Sequence, residues 1–275
     1  MNSVRVLVFG AHPDDCELKV GGTAALWAEA GHVVRFVSVT NGDTGHQAMG
    51  GAPLAVRRRD EAAAAAAVLG VESLVLDNHN GELLPTIENR KQIIRIIREF
   101  EPDLILTHRP NDYHPDHRYT SQLVQDAAYI VTVPNMVALT PHLRENPVIG
   151  YLSDNFKRPY PFSHDVAVDI GPAVETKLDA VHCHTSQMYE WLPYNGDYAE
   201  GVPTGEAERR AWLGERLRKR FAQDADHCRE RLAATYGERS AEIVYAESFE
   251  ICEYGSALSP EKRARLFPFL PGGAA

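Results

Sequence analysis

Apolar and polar positions alternate along the first half of the chain in two distinct rhythms. Residues 4–9 form a β-branched apolar run broken only by Arg5, the pattern of a strand buried on both faces. Residues 21–30 read as a helix stopped by Gly31, and 33–39 as a second strand. Residues 54–69 are alanine-rich, carry charge on one side and end at Gly70, a helix C-terminal signal. A short strand at 74–76 follows. In 87–100 the apolar residues Ile93, Ile94, Ile96 and Ile97 recur at helical spacing, and Pro102 comes just after. Residues 104–107 are strand-like, and 118–130 can form the next helix.

This β-α-β-α order predicts an α/β fold: a Rossmann-like, three-layer sandwich with a mostly parallel sheet and helices on both faces. Ligands of such sheets bind outside the carboxyl ends of the strands. The second half is less regular. Residues 166–170 read as a strand, 174–183 as a helix, 206–236 as a long charged helix or helix pair, and 242–251 as a late strand. Tyr189, Trp191, Tyr194 and Tyr198 make the stretch between them aromatic. There is no internal repeat and no clear linker, so residues 1–275 are expected to form a single domain.

Composition narrows the class. The 275 residues are 44% hydrophobic and 24% charged, ordinary for a globular protein. The net charge of −10 and the absence of a basic stripe argue against a nucleic-acid partner. No stretch approaches the ~20 apolar residues of a membrane span. The opening apolar run is too short for a signal-peptide core. Cys16, Cys183, Cys228 and Cys252 are scattered without CxxC spacing, as expected of reduced thiols. A cytoplasmic location is the resulting expectation.

The candidate chemistry falls at the predicted strand ends. Ala11-His12-Pro13-Asp14-Asp15 follows the first strand. A catalytic zinc takes about three N or O ligands and keeps a position open for water. His12 and one aspartate could supply two of them, leaving the other carboxylate as general base. Asp112-Tyr113-His114-Pro115-Asp116-His117 follows the fourth strand. One imidazole there can complete the metal site. The other, held by Asp116 through a ring nitrogen, can stay charged and steady a developing oxyanion. On donor types alone, iron or manganese would also fit.

With AHPDD and HPDH both intact, the chain resembles the LmbE-like, or PIG-L, family of zinc N-acetylglucosaminyl deacetylases, most strongly over residues 4–125. The resemblance implies one Zn2+ per chain, held by His12, Asp15 and His117. It implies Asp14 as general base and His114, oriented by Asp116, as the group that supports the oxyanion or protonates the leaving amine. It implies a small-molecule partner, an N-acylated, in the first instance N-acetylated, amino sugar or its glycoconjugate, and a homo-oligomer, trimer or hexamer. Arg58 and Glu61 match the family's Arg-x-x-Glu pair, in which the arginine commonly reaches toward substrate. His184-Thr185-Ser186-Gln187 resembles its His-x-Ser-Gln segment near the pocket, and Ala246-Glu247-Ser248-Phe249 its late strand, for which packing is expected. Asn80-Gly81 stands where many members have Asp-Gly, so Asn80 meets substrate without charge. Asp112 stands where some members have a tyrosine, with Tyr113 next to it over the pocket. Residues 189–235 exceed a minimal member and are expected to form a lid or oligomer contact, Trp191, Tyr194 and Tyr198 being able to stack on a sugar ring.

Three competing readings follow. A hydratase or lyase, or an amidase on a non-sugar substrate, could use the same site, although the hydratase branch departs from AHPDD. A nucleotide-binding module would need a glycine-rich loop where His-Pro-Asp-Asp stands. A scaffold that had lost activity would not keep Asp14 and His114.

Overall fold

In a computed structural model that describes residues 3–272, the strands form one seven-stranded sheet of order β3-β2-β1-β4-β5-β7-β6. They are β1 Arg5–Gly10, β2 Val33–Thr40, β3 Glu72–Asn78, β4 Leu104–Thr107, β5 Val148–Leu152, β6 Val166–Asp169 and β7 Ala246–Cys252. Strands β1 to β5 pair in parallel, while β7 runs antiparallel to both its neighbours. The sheet is therefore mostly parallel, and helices cover both faces. Successive β1 side chains show why. Val6 and Val8 pack with Val20, Ala24 and Trp27 of α1 (Asp15–Glu29) on one face. Leu7 and Phe9 pack with Ile93, Ile94 and Ile97 of α3 (Ile87–Phe100) and with Leu123 and Val124 of α4 (Pro115–Ala127) on the other. A strand with a partner on each side has no polar face to offer, hence its apolar run.

Local signals set the helix ends. Thr86 caps α3 by accepting the Asn89 N–H, and Gly70, left-handed at φ 70°, ends α2 (Ala52–Leu69). Helix α1 begins at Asp15, not near residue 21, because the His-Pro-Asp-Asp turn leads directly into it, with Asp14 at the N-cap. The polar residues there hid the helical pattern, yet Asp15 and Glu17 are buried. Strand β5, absent from the sequence reading, is buried throughout; it is only five residues long, and Gly150 dilutes its signal. The charged segment from residue 206 is a pair, α7 (Glu206–His227) and α8 (Arg229–Tyr236), with the short helix α6 (Leu192–Asn195) before it. Leu213, Leu217 and Phe221 of α7 pack on Val174, Leu178 and Val181 of α5 (Val174–His182). A last helix, α9 (Pro260–Leu266), was not expected either.

Strand β7 does more than pack. Glu247, 3% exposed, receives the Lys177 ammonium at 2.7 Å and the Gly22 and Thr23 N–H groups at 2.9 and 2.8 Å. The Thr23 hydroxyl adds a fourth contact at 2.5 Å. This one carboxylate joins α1, α5 and the late strand, while Phe249 stacks on Trp27 at 6.4 Å. Among the described residues, no helix is long and apolar enough to cross a membrane.

Candidate metal centre

The loops after β1, β2, β3 and β4 converge on a cavity of about 390 Å³ whose walls include His12, Asp14, Asp15, His114 and His117. Three electron-pair donors face one another there. His12 Nδ1 lies 3.4 Å from Asp15 Oδ2 and 3.3 Å from His117 Nε2, and the last two atoms are 3.5 Å apart. Ligands at about 2.0–2.1 Å from a tetrahedral ion are separated by about 3.3–3.4 Å. The triangle therefore has the size a small divalent cation requires, and this His/Asp/His group could hold a metal ion.

Two further carboxylates stand behind these imidazoles. Asp116 Oδ2 sits 3.1 Å from His12 Nε2, and Asp112 Oδ2 lies 3.2 Å from His117 Nδ1. A ring whose proton sits on the carboxylate side turns its other lone pair to the centre, which is the form that binds a metal ion. Burial opposes an imidazolium at His12, but the Asp116 and Asp15 carboxylates outweigh it and raise the group to about 9. The carboxylates around His12 thus favour positive charge at this corner of the cavity. Burial also works against the Asp15 carboxylate, yet His117 and His108 hold it well below the usual range. Its Oδ2 accepts the Ala11 and His12 N–H groups at 3.0 and 2.8 Å.

Asp14 is the helix-capping residue of α1 and has φ 143°. Such a φ is strained for any residue but glycine. The turn turns its carboxylate into the cavity, where burial raises its pKa and Arg58, 3.5 Å away, pulls it back. Arg58 itself is 2% exposed, its guanidinium held by Pro13 O at 2.8 Å and Gly42 O at 3.2 Å. A Cβ at Gly42 (φ +72°) would collide with that guanidinium. Arg58 thus lines the cavity and braces the Asp14 turn. Its helical companion Glu61 accepts the Ser186 N–H and hydroxyl at 2.9 and 2.6 Å. This fixes the π-helical turn Ser186–Trp191, from which Gln187 and Trp191 enter the cavity wall.

Two expectations are corrected. The Asp116 carboxylate holds His12, not His114; it also accepts the Gly81 N–H at 2.6 Å and the Leu83 N–H at 3.3 Å, so its oxygens are taken. His114 Nδ1 instead accepts the backbone N–H of Asp116 at 3.2 Å, as the cap of α4. Burial, then the neighbouring His12 and His117, push His114 below its ordinary value. Both effects disfavour a standing cation at His114, and with Nδ1 taken by the Asp116 N–H, Nε2 is the nitrogen left to carry a proton. His184 is the second correction. It is fully buried, 3.4 Å from Glu17 Oε2, and lies outside the cavity wall.

Asn80 and Tyr113 both line the cavity. Asn80 Nδ2 donates to Thr44 Oγ1 at 2.6 Å while its Oδ1 has no partner. Tyr113, 74% exposed, stands at the mouth with its ring 5.8 Å from that of His114. Of the aromatic residues in 189–235, Trp191 lines this cavity and Tyr194 and Tyr198 do not. Sequence reasoning gave no role to His108, which is buried, stacks on His117 at 4.1 Å and brings Nε2 within 3.3 Å of Asp15 Oδ2. Its place directly after β4 was the available signal. Its Nε2 already accepts the Ala11 N–H at 3.0 Å, which makes it a weaker candidate ligand than His12. Lys19, Asn155, Phe156 and Arg220 also enter the wall, from segments with no motif.

The diacetylchitobiose deacetylase of Thermococcus kodakarensis is 33% identical to this chain over 207 residues, 69% of this chain and 74% of that one. The chain belongs to the PIG-L (LmbE-like) family. The PIG-L model, described as GlcNAc-PI de-N-acetylase, matches residues 7–128 and so spans both motifs. The 4-oxalmesaconate hydratase of Pseudomonas putida is 27% identical over 208 residues, 68% of this chain and 76% of that one. The solved N,N'-diacetylchitobiose deacetylase from Pyrococcus horikoshii superposes with a TM-score of 0.69 at 26% identity, covering 92% of this chain and 85% of that one.

Proposed function

We propose that the protein is a metal-dependent hydrolase that removes an acyl group, acetyl in the first instance, from an N-acylated amino sugar or its conjugate. The observation that carries this reading is the triangle of His12 Nδ1, Asp15 Oδ2 and His117 Nε2, with a carboxylate behind each imidazole and Asp14 beside it. The deacetylase relatives supply the class of substrate.

His12, Asp15 and His117 would hold the ion, and zinc in such a site lowers the pKa of water to about 7. Asp14 takes the water's proton as the acyl carbon is attacked. Its burial, which raises its pKa, makes it a stronger base than an exposed aspartate. His114 donates Nε2–H to the acyl oxygen as negative charge grows there, as a neutral donor. Asp14 then returns its proton to the departing amine. Arg58 keeps Asp14 in position, and Asn80 Oδ1 and Trp191 are placed to meet the sugar. The chain acts as one domain in which residues 189–235 form part of the cavity wall.

The hydratase relative favours a second reading, water addition to an unsaturated acid at the same centre. Metal analysis combined with acetate release from N-acetylated sugars, on wild type and Asp14→Asn, separates the two. We expect about one zinc per chain in both proteins, with turnover about 10²–10⁴-fold lower in the variant. Bound metal with no release from any sugar, but water addition to the unsaturated acid, establishes the second reading. Absence of first-row metal after purification refutes both.

A further inference from the structure

This inference deepens the amidase reading above and rests on it. Lys19 stands on α1, one turn beyond Asp15 and about 6 Å along the helix, and Arg220 stands on α7; both line the reaction cavity. The cavity's carboxylates are already engaged. Asp154 receives Arg109 at 2.7 and 2.5 Å, Asp112 faces His117 at 3.2 Å, and Asp14 faces Arg58 at 3.5 Å. The two cations are not so occupied. Lys19 Nζ gives one N–H to Ser153 O at 2.7 Å, which leaves two of its donors, and Arg220 has no hydrogen bond or ion pair among the described residues. A chain of net charge −10 therefore presents two uncommitted cations to its own cavity.

We infer that Lys19 and Arg220 form a subsite for an anionic group, phosphate or carboxylate, on the part of the substrate away from the scissile amide. Trp191 and Phe156, in the same wall, flank the body of the ligand. Burial and then the charge of Arg220 push Lys19 below the ordinary lysine range, so an anion placed between the two cations relieves their repulsion. A guanidinium and an ammonium together suit tetrahedral phosphate as well as planar carboxylate.

The test measures kcat/KM at low ionic strength on N-acetylglucosamine, its 6-phosphate and its uronic acid, for wild type, Arg220→Glu and Lys219→Ala. Arg220 is exposed, so its replacement leaves the core intact. We expect wild type to favour one or both anionic sugars by about tenfold or more, one charge-assisted contact's worth. In Arg220→Glu that ratio should fall toward one or below, and in Lys219→Ala, whose ammonium pairs with Glu215, it should persist. The phosphate and uronate arms tell which anion the subsite takes. Equal use of neutral and anionic sugars by wild type overturns the subsite and leaves the amidase reading standing. If no sugar is hydrolysed, the amidase reading fails, and calorimetric titration of glucosamine 6-phosphate against glucosamine decides the subsite by itself. Tighter binding of the phosphate that Arg220→Glu abolishes supports it, and equal binding refutes it.

Discussion

Asp116→Asn separates the charge behind His12 from the shape of the site. Asp116 is fully buried and its two oxygens meet three partners: Gly81 N–H at 2.6 Å, His12 Nε2 at 3.1 Å and Leu83 N–H at 3.3 Å. The amide fits the same space. With its oxygen toward Gly81 and His12, its NH2 group meets only the longest of the three contacts. The His12 ring therefore keeps its place and its proton on Nε2, and the His114 cap survives because it uses the backbone of residue 116. What is lost is the negative charge that makes His12 a better electron-pair donor. Removing such a supporting group typically lowers metal affinity about 10–100-fold, or about 1.4–2.8 kcal/mol. Competition against a chromophoric chelator at fixed pH reads this directly, with circular dichroism to verify folding. A folded variant whose zinc affinity lies within about threefold of wild type refutes the assignment of Asp116 as the support of a metal-bound His12.

Two further substitutions test the framework. Glu247→Ala strands the buried Lys177 and two backbone N–H groups and should cost about 3–5 kcal/mol in urea unfolding. Lys177→Met leaves Glu247 its three other donors and should cost less; the reverse order would refute the clamp. Gly42→Ala puts a side chain at φ +72° against the Arg58 guanidinium. It should lower stability by more than about 1 kcal/mol and lower turnover through Asp14, whereas normal turnover would show that Arg58 does not brace that turn.

Much of the parallel half was legible. Residues 87–100 and 104–107 were read with the bounds they have as α3 and β4, because each is a strongly periodic or wholly buried segment between clear breakers. The motif residues His12, Asp14, Asp15, His114 and His117 were found because they stand in contiguous runs at strand ends, and all five line one cavity. Pairings across the sheet were not legible. The Asp116–His12 contact spans a sequence separation of 104 residues, and the nearer histidine in sequence was the natural guess. His184 misled for a related reason, since a polar residue in a pocket-side segment gives no sign that its side chain faces inward to Glu17. Lys19 and Arg220 stand in no motif, and only the fold brings α1 and α7 to one cavity.

The position of β7 also bears on how the chain is made. Its two neighbours, β5 and β6, are both complete well before residue 246 leaves the ribosome. At typical synthesis rates the interval from the end of β5 to the start of β7 lasts roughly 5–20 s. Throughout it, the edge of β5 lies open to any passing strand. The strand that closes the gap also brings Glu247 to α1, whose N-terminal end carries Asp14 and Asp15. Ribosome-bound nascent chains that stop short of β7 should therefore depend on chaperones, even though every motif residue of the metal centre has already been synthesised.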